Sequence, residues 1–274
     1  MTEPNMPFPS RPAEDTGAAP RKARRAGRQT RTGDSSNIDR QLAAIITLGV
    51  TLWCSPWLAA PARADVEFWN WTEWRVPLTS RAPWTGQPVH WRTFSDVRLG
   101  LRYPGLGWNF FRAGPLWTLA PWLVVGTQAT VISVQATPGN YLQEYRLELE
   151  PTFLWRTGPW QFSDRNRLEH RMRWGGSGQT AHLRYRNQLR VAYAPDGASW
   201  IPFAWNEPLF EFNGEGLAQN RAEVGIGYRF NADARLDLGV MWRARSQANA
   251  WEHDGILNAY LYLAPQLRPL FDPS

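Results

Sequence analysis

Arginine and glutamate sit two residues apart over long stretches of this chain. Gln161, Ser163, Arg165, Arg167, Glu169, Arg171 and Arg173 alternate with Trp160, Phe162, Leu168, Met172 and Trp174. The same spacing returns in His182, Arg184, Arg186, Gln188 and Arg190, set against Leu183, Tyr185, Leu189, Val191 and Tyr193. Side chains two apart share one face of a strand. A face of guanidiniums and carboxylates has two uses. It lines a path for small anionic solutes, or it pairs with itself across strands in an interior ion-pair network, because buried charges must be paired and hydrogen-bonded. The lumenal charged cluster expected here is Arg167, Glu169, Arg184, Arg186, Glu207, Glu211, Asn213 and Arg221.

The four histidines offer less. His90 and His253 read as loop residues, and His182 falls on the polar face. His170, between Leu168 and Met172 on the apolar face, is placed like a lipid-facing base or like an interfacial ring; Ser163 and Ser177 lie near it in sequence but not beside it by register. Glu252, His253 and Asp254 read as a surface cation site or an ordinary charged loop tip. No Gly-rich phosphate loop follows a strand, and Gly225-x-Gly227 lies within one, where glycine relieves crowding. The expectation is therefore no catalytic constellation, no metal and no cofactor.

About eleven strand-like segments carry these residues. Val66–Val76 and Trp91–Tyr103 come first, separated by a loop over Pro77–Pro88; Asn109–Thr118 is weak and broken by Gly114-Pro115; Trp122–Val134 is next. Tyr141–Arg156, Trp160–Trp174, Ala181–Ala194, Trp200–Asn213, Gln219–Asn231, Arg235–Arg245 and Gly255–Ala264 follow, with turns at Thr137–Asn140, Thr157–Pro159, Gly175–Gly178, Pro195–Gly197 and Asn231–Asp233. Pro202 and Pro208 predict a bulge or frayed end. Apolar faces rich in Trp and Tyr, opposite faces of Arg and Glu, mark a barrel that is apolar outside and polar within. The fold class is all-β: an antiparallel up-and-down transmembrane β-barrel. With both ends on one side it needs an even strand number, about twelve or alternatively ten.

Residues 1–64 read as an export segment. A basic run from Arg21 to Arg31, an apolar core from Leu42 to Cys54 and Ala62-Arg63-Ala64 ahead of Asp65 describe a signal peptide cleaved after Ala64. The core is shorter than the roughly 20 residues of a spanning helix. Nine basic and five acidic residues lie in 1–64, so the formal +6 falls to +2 in residues 65–274, which argues against a nucleic-acid partner. Cys54 is the single cysteine, so 65–274 contains no disulfide.

The order Val66-Glu67-Phe68-Trp69, Arg165-Asn166-Arg167-Leu168-Glu169, Leu183-Arg184-Tyr185-Arg186, Asn206-Glu207 with Phe210-Glu211-Phe212-Asn213, Gln219-Asn220-Arg221 and Gly225-Ile226-Gly227-Tyr228 resembles the bacterial family named domain of unknown function 2490. The resemblance runs from about Val66 to Leu263 and is most specific between Arg165 and Tyr228; Pro208-Leu209 departs from it. It implies an exported outer-membrane barrel and no reaction. The expected function is a narrow channel or structural barrel of the cell outer membrane, whose partners are membrane lipid and the barrel-insertion machinery. The alternatives are an outer-membrane lipid-modifying hydrolase or acyltransferase, and a soluble periplasmic ligand-binding barrel with the opposite sidedness. Mass spectrometry of the exported chain is expected to find an amino terminus at Asp65; an intact 1–64 segment on the mature protein overturns that expectation.

Overall fold

The computed structural model describes residues 66–264, apart from 80, 81, 83, 84, 101, 102, 138, 139, 176, 177, 248 and 249. The expected export segment and its expected cleavage point, Cys54, Leu101, Arg102, Ser177 and the central residues of the turns at 137–140 and 175–178 lie outside the described residues. Every described element is a strand. In chain order they are β1 (Val66–Thr79), β2 (Val89–Gly100), β3 (Tyr103–Ala120), β4 (Leu123–Thr137), β5 (Asn140–Thr157), β6 (Trp160–Gly175), β7 (Gly178–Tyr193), β8 (Trp200–Glu211), β9 (Gly216–Arg229), β10 (Ala234–Gln247) and β11 (Ala250–Leu263).

Each strand pairs antiparallel with the next, and the sheet closes on itself through β1 and β11. The described residues form eleven strands, not twelve or ten. The even-number expectation assumed both chain ends at one rim, and the closing pair removes that condition. β1 runs parallel to β11, with Val66 opposite Gly255 and Trp74 opposite Leu263. Val66 and Leu263 therefore lie at opposite rims.

Several boundaries differ from the sequence reading. β1 continues through Pro77 to Thr79 with a register shift between them. The loop that follows is tied by Gly86 N–H donating to the Ala82 carbonyl at 2.8 Å, so β2 begins at Val89 and His90 is a strand residue. β3 is not broken at Gly114-Pro115. Its ladder to β2 continues through both residues, and only the β4 side opens, between the Ala113–Ala129 and Leu116–Gly126 pairs. Proline lacks one ladder donor, and a one-sided gap absorbs that loss. β11 starts at Ala250, so His253 belongs to a strand, where alternation points it away from Glu252 and Asp254. β8 is regular along its length, but its ladder to β7 lapses between Asn206 and Leu209, and its register with β9 shifts between Leu209 and Phe210. The irregularity predicted from Pro208 lies in the pairing, not in the strand.

Glycine admits close approach at two inward positions. A Cβ on Gly225 would meet the Phe203 ring and the Leu238 carbonyl, so this glycine lets Phe203 lie flat on the wall. A Cβ on Gly114 would meet the Thr127 carbonyl oxygen and stand 2.8 Å from Gln128 Cα. Backbone cannot yield as a flexible side chain does. Gly114→Ala is expected to lower folding stability by about 1–3 kcal/mol, read as a fall in the urea midpoint of the folded protein; an unchanged midpoint would show that the wall relaxes there.

Candidate functional site: the charged interior

Strand alternation sends one side of every strand into the bore. On β5 to β9 that side carries charge. Glu144, Arg146, Glu148 and Glu150 on β5, Arg165, Arg167, Glu169 and Arg171 on β6, and Arg184 and Arg186 on β7 are all buried, as are Glu207 and Glu211 on β8 and Arg221 on β9. Each carboxylate gathers several guanidiniums. Glu169 accepts from Arg184 Nε at 2.7 Å and from Arg186 Nη1 at 3.0 Å, with Arg146 and Arg167 both at 3.7 Å. Glu207 accepts from Arg165 and Arg186, each at 2.6 Å, with Arg221 at 3.6 Å. Glu144 accepts from Arg171 and Arg173, both at 2.7 Å, and from Arg146. Arg171 continues the chain to Glu211, which His182 meets at 2.9 Å.

The network reaches across the bore as well as along the wall. Arg92 on β2 bonds Glu150 on β5, and Arg112 on β3 lies 3.3 Å from Glu148. Charge-assisted, multiply donated bonds of this kind are the strong ones. The low dielectric around them strengthens each bond and raises the cost of any vacancy.

The opposite side of the bore is aromatic. Trp69 and Trp71 of β1, Phe94 of β2, Phe110 of β3, and Tyr260 and Tyr262 of β11 form one buried cluster with Met241 and Ile256. Trp71 stacks on Tyr260 with centroids 5.5 Å apart and meets Phe94 at 5.0 Å. The expectation that the ring-bearing side chains face outward is therefore corrected for these six, which are buried inside the wall. Cations join the two halves. The Arg98 guanidinium lies 3.5 Å from the Trp69 ring and 4.3 Å from Trp108, held by Asp96 at 2.7 Å. Such contacts are strongest when desolvated.

Seven of the eight expected cluster residues are brought together: Arg167, Glu169, Arg184, Arg186, Glu207, Glu211 and Arg221. Asn213 is not. β8 ends at Glu211, and Asn213 is exposed in the turn, donating to Glu215 at 2.9 Å; Gly214 and Gly216 at positive φ carry the chain away from the bore. Sequence reasoning left Arg112, Asp237, Asp254 and Asn258 out of the interior set. Asp254 holds Arg243 and Arg245 at 2.8 and 2.9 Å, and its signal was present in the alternation of Glu252 and Asp254 with Trp251 and His253.

The outward face is apolar over most of its area. Leu147, Leu149, Leu183, Leu189, Leu238, Val240 and Leu257 are exposed along its middle. Aromatic pairs lie towards both rims: Trp122 on Phe153, Trp155 on Phe162 and Trp200 on Tyr228 at one end, Tyr145 on Trp174 at the other. His170 is exposed between its cross-strand partners Leu147 and Leu183. It borders an open depression of about 530 Å³ formed with Trp91, Ala113, Leu149 and Leu168. A polar patch interrupts the belt at β6 to β9. Asn187 donates to Asp164 at 2.5 Å and to Asn166 at 3.1 Å, and Asn206 donates to Asn220 at 3.1 Å, beside the lapse in the β7–β8 ladder.

Closed pairing, an ionic and aromatic interior and an apolar outer wall define an inverted all-β barrel. The chain belongs to the family described as protein of unknown function (DUF2490), whose model matches residues 67–254. Neither the curated proteins nor the solved structures give a match.

Glu169 is the carboxylate on which Arg184 and Arg186 converge. Glu169→Gln is expected to destabilise the fold by about 3–5 kcal/mol, because it strands buried cations. Asn213→Ala is expected to stay within about 0.5 kcal/mol. Equal effects in a urea titration of the two variants would deny the network its structural role.

Proposed function

We propose that this protein is an outer-membrane β-barrel with a packed, closed bore, working as a structural or surface-acting component instead of an open pore. The observation that carries this reading is the inversion of burial. Glu169, Glu207 and Glu223 are fully enclosed while Leu147, Leu189, Leu238 and Trp200 are more than 45% exposed. Water would reverse that arrangement; hydrocarbon outside the wall rewards it. The aromatic pairs towards both rims support the same reading, since amphipathic rings favour membrane–water boundaries. Strands of 12 to 18 residues exceed the roughly 9–11 that a tilted membrane strand needs.

The closed bore is supported by contacts that span it. Arg92 to Glu150, Arg171 to Glu211 and Arg190 to Asp237 each join non-adjacent strands, so side chains occupy the space a channel would need. A narrow channel is the alternative within this reading. The hydrolase or acyltransferase alternative draws on His170 and the apolar depression beside it, a suitable seat for an acyl chain. It needs a nucleophile within hydrogen-bond reach, whereas both cross-strand partners of His170 are leucines. The soluble ligand-binding alternative needs a polar outer wall.

Two measurements test the proposal. The folded chain is expected to require detergent and to migrate differently on gels before and after heating; a monomer stable in plain buffer overturns the membrane assignment. In planar bilayers it is expected to show no steady open current. A sustained conductance would replace the closed bore with the narrow channel.

A further inference from the structure

The ion-pair network leaves one part of the lumen with more donors than acceptors. Arg190 on β7 is buried, yet its Nε and Nη2 have no hydrogen-bond partner, and its one ion-pair partner among the described residues is Asp237 at 3.5 Å. Asp237 is already engaged: Arg235 donates to it from Nη2 at 2.9 Å. Two buried guanidiniums therefore share a single carboxylate. Gln188, the preceding inward residue on β7, is also buried with an unpartnered Nε2, and in the same cross-strand row the buried Thr152 hydroxyl has no partner either. Arg171, Arg184 and Arg186, by contrast, each donate to a carboxylate.

We propose that the lumen binds a small oxyanion of the carboxylate or phosphate class between Arg190 and Gln188. The guanidinium fork matches two oxygens of such a group, and the Gln188 amide supplies a further donor from the same face. Phe203, whose ring lies 4.7 Å from the Arg190 guanidinium, closes one side with apolar surface and sharpens the electrostatics. Arg235 adds charge from β10, while Asp237 competes with the ligand for both guanidiniums. The site faces the crowded bore, so the ligand is a free solute and not a headgroup attached to acyl chains. This inference goes beyond the membrane assignment and does not rest on it.

The test is isothermal titration of the folded full-length protein with inorganic phosphate, and separately with acetate, at low ionic strength. One site per chain is expected. Arg190→Gln should weaken binding at least ~10-fold, the loss of a charge-assisted pair. Arg156→Gln, which removes a cation bonded to the exposed Asp196, should leave it unchanged. Asp237→Asn should tighten binding several-fold, because it removes the competitor. That opposite sign keeps the proposal decidable if Arg190→Gln fails to fold, as judged by loss of heat-modifiable migration. Absence of binding to either anion overturns the site, and so does binding that Asp237→Asn leaves unchanged. A wild-type protein that binds phosphate yet needs no detergent would support the site while overturning the membrane reading.

Discussion

A carboxylate enclosed by protein must be surrounded by donors, and the interior of this barrel is organised around meeting that requirement. Glu144, Glu150, Glu169 and Glu207 each act as a hub for arginines from two or more strands. The strands are already joined by their backbone ladder, and Glu150 and Glu207 add something the ladder lacks: links to arginines on strands that are not neighbours. They fix how wide the bore is and which residues meet across it. Arginine suits this better than lysine, because one planar fork serves two acceptors. In residues 65–274 the chain uses arginine for every positive charge.

The two halves of the lumen meet the same packing demand by different chemistry. On β5 to β9, charge fills the space and must be matched partner by partner. Around β1, β2, β3 and β11, rings pack among buried charges such as Glu73, Arg92 and Asp96, and Arg98 and Arg112 lie over aromatic faces. Glycine makes this density attainable, since Gly225 gives Phe203 its place against the wall.

Much of this was legible in the chain because alternation is a local signal. Arg165, Arg167, Glu169, Arg184 and Arg186 declare their shared face within a few residues, and a closed barrel leaves that face one place to go. What stayed hidden depends on partners far away in sequence. Nothing local tells Trp71 that Tyr260 will stack against it, so the buried aromatic cluster was not foreseen. Asn213 continues the inward alternation of β8 on paper, but the turn glycines take it out. Gly114-Pro115 looks like a break because proline lacks a donor, whereas pairing with β2 carries the strand through. Pairing partners also decided the strand number, which the eleven segments suggested and an assumption about chain ends overrode.

The parallel seam between β1 and β11 has a topological consequence. In a barrel of paired hairpins every crossing is followed by a return, and only turns need be delivered to the far side. Here the eleventh strand closes the sheet by running alongside the first in the same direction. The polypeptide is thus a directed thread: the amino end of the first strand and the carboxyl end of the last emerge from opposite mouths of the wall.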